Sequence, residues 1–419
     1  MLIREIRREA LSRHAGDDPP MNVSDRISGV FASPIRKLSP YAAAAKAAGK
    51  KVYHLNIGQP DIGTPPAFIE AVRAFDEKVI AYGDSRGDAH LLEAIRRYYH
   101  GWGMDFDTEE ITITSGGSEA LLIAMMGVCD PGDEILVFEP FYANYQSLAD
   151  ALNINMRAVT TKVENGYAVP GEAAVEAAIT PRTKAMIVTN PGNPTGRVLT
   201  SDEMDLIARV VKRHDLALIV DEVYREFVYG APFRSFGTVP GLEENLILVD
   251  SLSKRYSACG ARIGALLSHS KDFNAQIMKY CEARLCCPEL EQIGAAALYS
   301  TPASYLAEVN KEYRNRRDTL EKALSKLPDV TFSSPQGAFY TMIKMPVDSA
   351  EKFAVWMLEQ FDFHGETVMI APGDGFYLTP GLGRDEARLA YVLNCADLGR
   401  AIAILGEGLK AYPGAKIPA

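Results

Sequence analysis

Short apolar runs alternate with amphipathic segments from about residue 68 to residue 299 of this 419-residue chain. One apolar run spans residues 134–138 and is followed by a helical pattern near 143–152. Residues 202–214 carry apolar side chains at helical spacing. Strand-sized apolar runs that alternate with amphipathic helices are typical of a doubly wound sheet with helices on both faces. The chain therefore predicts an α/β fold with a large, mostly parallel sheet.

The pattern changes after a long helical segment near residues 303–327. The later apolar runs are short and separated by turns and one helix, which indicates a smaller α+β domain. They lie at 330–332, 339–343, 367–370 and 388–393. We expect an N-terminal extension (1–32), a segment that joins the small domain (33–61), a large domain (62–300) and a small C-terminal domain (301–419). Within the extension, residues 1–20 predict a charged amphipathic helix.

Composition excludes several classes of function. The formal net charge of −10 argues against nucleic acid or an anionic membrane as a partner. No apolar run approaches the roughly 18 residues of a membrane span, and the N-terminus lacks the apolar core of a secretory signal. The six cysteines lie mostly in apolar stretches and show no metal-ligand spacing. They indicate reduced thiols and no metal site, so we expect a cytoplasmic protein.

A lysine with phosphate-binding neighbours follows one of the apolar runs. Lys254 comes directly after the strand-like segment 245–250, and parallel-sheet enzymes place their chemistry beyond such strand ends. Ser251, Ser253 and Arg262 can ligate a phosphate, the arginine with bidentate geometry. A surface lysine is the alternative for this motif alone. A lysine beside a phosphate site favours a Schiff base to a phosphorylated aldehyde cofactor.

Two further motifs follow the ends of apolar runs. Asn193 lies in the turn Asn-Pro-Gly-Asn-Pro-Thr-Gly, and Asp221 ends the run 216–220. A carboxylate at the end of a buried strand needs a cationic partner or hydrogen bonds. The pyridinium nitrogen of a cofactor would supply that partner. Tyr224 is close enough in sequence to reach the phenolic oxygen of the same ring.

A glycine-rich turn is expected to provide further phosphate contacts. Gly117 and Ser118 lie in Thr-Ser-Gly-Gly-Ser-Glu-Ala, between a strand-like and a helical segment. Backbone N–H groups at a helix N-terminus favour an anion, and glycine lets the backbone approach it. The turn alone is weak support for phosphate binding, and Arg262 strengthens it.

Together these motifs resemble the class I/II aminotransferases, pyridoxal phosphate-dependent enzymes of fold type I similar to aspartate aminotransferase. The resemblance runs from about residue 33 to residue 412 and implies pyridoxal 5'-phosphate in the large domain. It implies that Lys254 is the Schiff-base lysine and that Asp221 partners the ring nitrogen. Tyr224 and Asn193 match the donors to the ring oxygen. The matches to the phosphate ligands are Gly117, Ser118, Ser251, Ser253 and Arg262.

The resemblance also assigns an aromatic stack, a partner contact and a substrate grip. Tyr142 matches the aromatic ring that stacks on the cofactor. Tyr82 matches a tyrosine that reaches the phosphate of the neighbouring subunit, which implies a homodimer with a shared active site. Arg388 matches the arginine that binds the substrate α-carboxylate, helped by Asn193 and the backbone of Gly58. For Arg388, an exposed charge at a strand start is the alternative.

The amino-acid substrate is less constrained. An aspartate-using branch of the family has a lysine at the position of Ser118, and its absence here weakens an aspartate assignment. Arg36 and Lys37 are candidates to bind a side-chain carboxylate, with a solvated charge pair as the alternative. The aromatic residues Tyr142, Tyr256 and Phe339 would admit an aromatic side chain. We therefore expect aspartate or glutamate, or an aromatic amino acid.

The resemblance implies transfer of an amino group between an L-amino acid and a 2-oxo acid with ping-pong kinetics. In this mechanism Lys254 moves a proton between the substrate and the cofactor. A β-lyase or decarboxylase on the same fold is one alternative. A non-enzymatic regulator that senses an amino acid is another, although only about 30 residues precede the matched region and leave little room for a DNA-binding domain.

Overall fold

The computed structural model describes residues 21–230 and 232–416, so the helix expected at 1–20 lies outside the described residues. Its strands form three sheets. The strands are β1 Lys51–His54, β2 Ile111–Thr114, β3 Glu134–Glu139, β4 Asn155–Thr160, β5 Thr183–Thr189, β6 Ala217–Asp221, β7 Leu246–Ser251, β8 Gly264–Leu267, β9 Thr331–Phe332, β10 Tyr340–Lys344, β11 Glu366–Met369, β12 Ala371–Pro372 and β13 Glu386–Ala390.

Helices connect these strands and cover the sheets. The α-helices are Asp25–Gly29, Ser39–Ala47, Ala67–Arg73, Ala89–His100, Gly117–Val128, Asn144–Leu152, Glu172–Glu176, Ser201–Arg213, Leu252–Arg255, Lys271–Arg284, Glu289–Leu298, Ala303–Leu324, Ala350–Glu359 and Cys395–Ala411. None of them combines the length and hydropathy needed to cross a bilayer.

The largest sheet has the order β2-β8-β7-β6-β5-β3-β4. Strands β7, β6, β5, β3 and β4 run parallel, whereas β8 is antiparallel to both of its neighbours. Side chains alternate between two apolar cores: Ile219 of β6 packs on one face, and its neighbours Leu218 and Val220 pack on the other. This alternation lets helices cover both faces of the sheet. The predicted mostly parallel, doubly wound sheet is confirmed.

Two smaller sheets lie later in the chain. One is antiparallel with the order β12-β13-β10-β9, and the other pairs β1 with β11 in parallel. Their side chains share one apolar core with helices Ala303–Leu324, Ala350–Glu359 and Cys395–Ala411. An early segment of the chain therefore packs with its last third. The exact domain boundaries remain a prediction.

Local sequence signals explain where several elements begin. Helix Ser201–Arg213 starts at a capping box, in which Thr200 and Glu203 satisfy each other's backbone N–H groups. Strand β10 begins one residue later than the apolar run from residue 339 suggested. Ala338, just ahead of that run, has a φ of 55°, a left-handed conformation that keeps the extended backbone from continuing past residue 339 towards the N-terminus.

Candidate active site

The polar strand ends come together around one cavity of about 660 Å³. Strands β5, β6 and β7 run parallel, so the residues that follow them meet at the same edge of the sheet. Of the residues that the resemblance assigns to cofactor or substrate, Tyr82 alone is outside the cavity lining. The predicted residues in the lining are Gly58, Gly117, Ser118, Tyr142, Asn193, Asp221, Tyr224, Ser251, Ser253, Lys254, Arg262 and Arg388.

Lys254 lies on the single-turn helix Leu252–Arg255 that follows β7. Ser251 caps this turn, because its side chain accepts a hydrogen bond from the backbone N–H of Ser253. The Lys254 Nζ donates to the backbone oxygen of Gly58 at 3.0 Å. A Cβ on residue 58 would lie 1.8 Å from the hydroxyl oxygen of Tyr340, so this position requires glycine. The lysine therefore points into the cavity, towards the segment after β1.

The phosphate-binding candidates lie together at one end of the cavity. The hydroxyl groups of Ser251 and Ser253 are 2.8 Å apart. Arg262 is exposed, and its Nη1 donates to the backbone oxygen of Cys259 at 2.9 Å. Gly116 has a φ of 77°, and a Cβ there would lie 2.2 Å from the Arg262 Nη2. Two hydroxyls, a guanidinium and the N-terminus of helix Gly117–Val128 fit a bound phosphate group.

Asp221 ends β6 as a buried carboxylate that forms no ion pair with any described residue. It accepts hydrogen bonds from the Tyr145 hydroxyl at 2.9 Å and from the backbone N–H of Val223 at 3.4 Å. Burial outweighs these hydrogen bonds and raises the pKa of Asp221 to about 6. A cationic group beside the carboxylate would lower that pKa again. The site thus fits the protonated ring nitrogen of pyridoxal phosphate.

Tyr224 and Tyr340 form a pair of phenols in the same cavity. Their hydroxyl oxygens are 3.1 Å apart, and the Tyr340 hydroxyl lies 3.4 Å from the Gly58 carbonyl oxygen. Burial, reinforced by Tyr340, raises the pKa of Tyr224 well above its ordinary value. Tyr224 therefore stays protonated and remains able to donate a hydrogen bond.

Arg388 is a buried cation in the middle of β13, so its interpretation as an exposed charge is wrong. Its Nη1 donates to the Asn193 side-chain oxygen at 3.0 Å, and its Nη2 to the Asn56 backbone oxygen at 2.6 Å. Its Nε has no hydrogen-bond partner in the described ranges, where Arg388 also forms no ion pair. Burial lowers the pKa of this guanidinium. A carboxylate entering the cavity would satisfy its charge.

Two sequence expectations about aromatic side chains are wrong. Tyr256 does not line the cavity and stacks on Tyr305 instead, with ring centroids 6.2 Å apart. Phe339 is fully buried and stacks on Tyr313 at 5.2 Å. Both rings belong to the protein core, which leaves Tyr142 as the one residue of the expected aromatic group that faces the cavity.

The charged pair on the N-terminal segment divides in a similar way. Lys37 forms an ion pair with Glu351 at 2.9 Å, which removes it from the substrate site. Arg36 lines the cavity and makes no ion pair with the rest of the described chain.

Sequence reasoning missed Tyr145 as a site residue. Its hydroxyl lies 2.9 Å from Asp221 and 2.6 Å from the hydroxyl of Thr189. It follows Tyr142 by three residues in the same motif, at the start of helix Asn144–Leu152. That spacing could have placed both rings on one side, but it gave no sign of the carboxylate they approach.

An uncompensated carboxylate and an uncompensated guanidinium that share a cavity with a lysine are expected of a pyridoxal phosphate-dependent enzyme of fold type I. The family model described as aminotransferase class I and II matches residues 50–391. This is well over half of the chain, which therefore belongs to the class I and II aminotransferases.

Individual relatives agree with this family. An aspartate aminotransferase of Thermotoga maritima is 31% identical over 91% of the chain and 97% of the relative. An arginine–pyruvate transaminase of Pseudomonas aeruginosa is 31% identical over 78% of the chain and 83% of the relative. The solved structure of an alanine aminotransferase from Pyrococcus furiosus has a TM-score of 0.85 and 29% identity, covering 93% of this chain and all of its own.

The protein is thus a pyridoxal phosphate-dependent aminotransferase, and the predicted fold, activity and cofactor are confirmed. The lyase and decarboxylase alternatives gain no support, because the relatives named above are aminotransferases or transaminases. The same holds for the regulator alternative.

The raised pKa of Asp221 predicts a pH-dependent stability difference in the cofactor-free protein. The unfolded carboxyl ionises near its ordinary 3.8 and the folded one near 6, so stability falls as pH rises between these values. Above pH 6 the cost reaches about 3 kcal/mol. Asp221→Asn should therefore raise Tm relative to the original protein more at pH 7.5 than at pH 5.

The control is the same comparison after loading with pyridoxal phosphate, where a cation next to Asp221 should reduce the difference. Calorimetry of both forms at both pH values measures it. A Tm difference that does not vary with pH in the cofactor-free protein would contradict the prediction.

Proposed function

We propose that this aminotransferase takes the amino group from a dicarboxylic amino acid, aspartate or glutamate, and that Arg36 binds the side-chain carboxylate. The observation that carries the proposal is that the cavity lining holds two guanidinium groups, Arg36 and Arg388, in addition to the phosphate candidate Arg262. Neither forms an ion pair within the described chain. Two cations suit a substrate with two carboxylates.

Other observations support the same substrate class. Several relatives are named aspartate aminotransferases, including those of Thermotoga maritima and Rhizobium meliloti. The missing lysine at Ser118 does not count against a dicarboxylate if Arg36 supplies the charge from the N-terminal segment. An aromatic amino acid is the second candidate, and its support is the single ring of Tyr142 in the lining.

We propose the following roles for the site residues, supported by their positions around the cavity. Bound pyridoxal phosphate supplies an aldehyde that condenses with amino groups and a ring that takes up negative charge. Ser251, Ser253 and Arg262 hold its phosphate group, together with the turn at Gly117 and Ser118. Asp221 would keep the ring nitrogen protonated, and Tyr142 would pack on the ring.

The remaining residues act on the ring oxygen and on the substrate. Tyr224 and Asn193 donate to the ring oxygen. Arg388 and the backbone of Gly58 orient the α-carboxylate. The amine of Lys254 then carries a proton to and from the substrate α-carbon. Alternation of an amino acid and a 2-oxo acid at this one site gives ping-pong kinetics.

Lys254→Ala should lower kcat by roughly a thousandfold or more, because it removes the proton carrier. The phosphate-binding residues should still retain the cofactor noncovalently. In the original protein, borohydride reduction followed by peptide mapping should place the label on Lys254. Reduction should fail to label the variant. A label on Lys184 or Lys271 would show that another lysine has this role.

The substrate proposal is tested by a pair of neighbouring cations. Arg36→Gln should lower kcat/KM for aspartate, glutamate and 2-oxoglutarate by roughly tenfold to a hundredfold, the value of a charge-assisted hydrogen bond. Values for alanine and pyruvate should change little, because these substrates lack the second carboxylate.

Lys37→Gln is the matched control, since Lys37 is paired with Glu351 outside the cavity. Its loss should leave kcat/KM unchanged for every substrate. If Arg36→Gln weakens alanine and aspartate equally, Arg36 does not select a dicarboxylate. If aromatic amino acids are the preferred donors of the original protein, the second candidate replaces the first.

We also propose a homodimer in which Tyr82 serves the neighbouring active site. Tyr82 is 82% exposed, and Val79 and Ile80 beside it are 71% and 61% exposed. Exposed apolar residues that cluster in this way favour burial against another chain. A second copy would cover them and bring Tyr82 to a cavity that it does not reach within its own chain.

Mixing two inactive variants, Tyr82→Ala and Lys254→Ala, should restore activity if the sites are shared. A heterodimer would have one site with both lesions and one with neither. Subunit exchange should be confirmed separately with tagged chains. If subunits exchange and activity does not recover, Tyr82 does not contribute to the active site of the neighbouring subunit.

A cytoplasmic location is part of the proposal. All six cysteines of the chain are free thiols, and three of them are buried. Unpaired thiols of this kind are typical of a reducing compartment. Fractionation of cells that produce the protein would test the location.

A further inference from the structure

A second polar cluster lies behind the segment that carries Lys254. Ser251, Ser253 and Lys254 line the cavity, whereas the flanking residues Asp250 and Arg255 do not. Both flanking residues are buried, with exposures of 2% and 0%. The cluster therefore begins at the two ends of the same short turn.

Asp250 and Arg255 close this turn from behind. The Arg255 Nη2 donates to one Asp250 carboxylate oxygen at 2.6 Å, and the other carboxylate oxygen accepts the backbone N–H of Ser251 at 2.8 Å. The ion pair therefore joins the residue before Ser251 to the residue after Lys254. It thus spans the short segment that carries Ser251, Ser253 and Lys254.

The cluster continues to the segment after β6. Tyr99 donates to Asp250 at 3.1 Å and accepts a hydrogen bond from Arg225 at 3.0 Å. Arg225 pairs with Glu222 at 2.9 Å. Glu222 directly follows Asp221, and Arg225 directly follows Tyr224. The cluster thus links the backbone that presents Asp221 and Tyr224 to the backbone that presents Lys254.

Aromatic rings enclose the two arginines. The Arg255 guanidinium lies 4.0 Å from the ring centre of Tyr98, and that of Arg225 lies 4.4 Å from the ring centre of Tyr99. Buried ion pairs contribute little net stability, because desolvation offsets their attraction, but they can select one conformation over others. Apolar side chains in the same space would stabilise the fold as well, so stability alone does not account for these ion pairs.

We propose that Asp250 and Arg255 are positioning residues, which act through the turn that they close to hold Lys254 and the phosphate-binding serines in place. Arg255 has a fork of donors that reaches Asp250 and the hydroxyl of Tyr299 at 3.4 Å. An ammonium group cannot make both contacts with the same geometry. The inference rests on the roles proposed for Lys254 and the serines.

Arg255→Lys in the holoenzyme is the test. The variant should displace Lys254 by about an ångström and thereby lower kcat by roughly tenfold to a hundredfold, while KM for the amino acid changes less than about twofold. Release of pyridoxal phosphate on dilution should accelerate by at least about tenfold, because the serines move with the same turn. Borohydride should also fix a smaller fraction of the bound cofactor to the lysine.

Leu405→Ala is the control for stability alone, because Leu405 is fully buried in helix Cys395–Ala411, within the core of the smaller sheets. It should lower Tm without changing kcat or the rate of cofactor release at temperatures well below Tm. If Arg255→Lys behaves like this control, the cluster is purely structural and the inference is wrong.

Two further variants apply if Arg255→Lys does not fold, and the milder of them is Tyr99→Phe, which leaves the ion pair intact. Asp250→Asn removes the ion pair, and Tyr99→Phe removes the hydroxyl that joins Asp250 to Arg225. Like Arg255→Lys, each variant should lower kcat and accelerate cofactor release. Unchanged values of both quantities in both variants would overturn the inference. Retained activity of Lys254→Ala would instead refute the proposed function, which is a separate outcome.

Discussion

An ion buried without a counterion is costly, and this protein holds two such groups around one cavity. Asp221 lacks a cation and Arg388 lacks an anion within the described chain, and burial moves the pKa of each towards its neutral form. The framework tolerates this because β6 and β13 are held by their own sheets. In the function that we propose, cofactor and substrate supply the missing charges, so binding and folding stability are coupled.

The two ends of the cavity come from different sheets. Asn193, Asp221 and Lys254 lie at or after the ends of the parallel strands β5, β6 and β7, whereas Arg388 and Tyr340 come from the antiparallel strands β13 and β10. The Asn193–Arg388 hydrogen bond and the Tyr224–Tyr340 contact cross between them. Any movement of one sheet relative to the other would therefore change how the substrate lies against the cofactor.

The sequence allowed the sheet and most of the cavity residues to be predicted, because parallel strands bring their ends to one edge. It could not predict side-chain direction within a turn. Tyr256 lies two residues after Lys254 and points into the core, and Lys37 lies next to Arg36 and reaches Glu351. The Tyr145–Asp221 hydrogen bond and the Asp250–Arg255 pair depend on which face of a short element each residue occupies. In such a short element, a shift of one position along the sequence changes the face on which a side chain lies.

The pairing of β1 with β11 has a consequence for the order in which the chain matures. Lys51 and Glu366 are partners in this parallel pair, although most of the chain lies between them. During synthesis β1 cannot pair until β11 has been made. The large sheet has all its strands once β8 ends at Leu267, so it can assemble first. Gly58 follows β1 closely, and its carbonyl oxygen accepts the hydrogen bond from the Lys254 amine. This oxygen therefore reaches its position only after the ribosome has synthesised most of the last third of the protein.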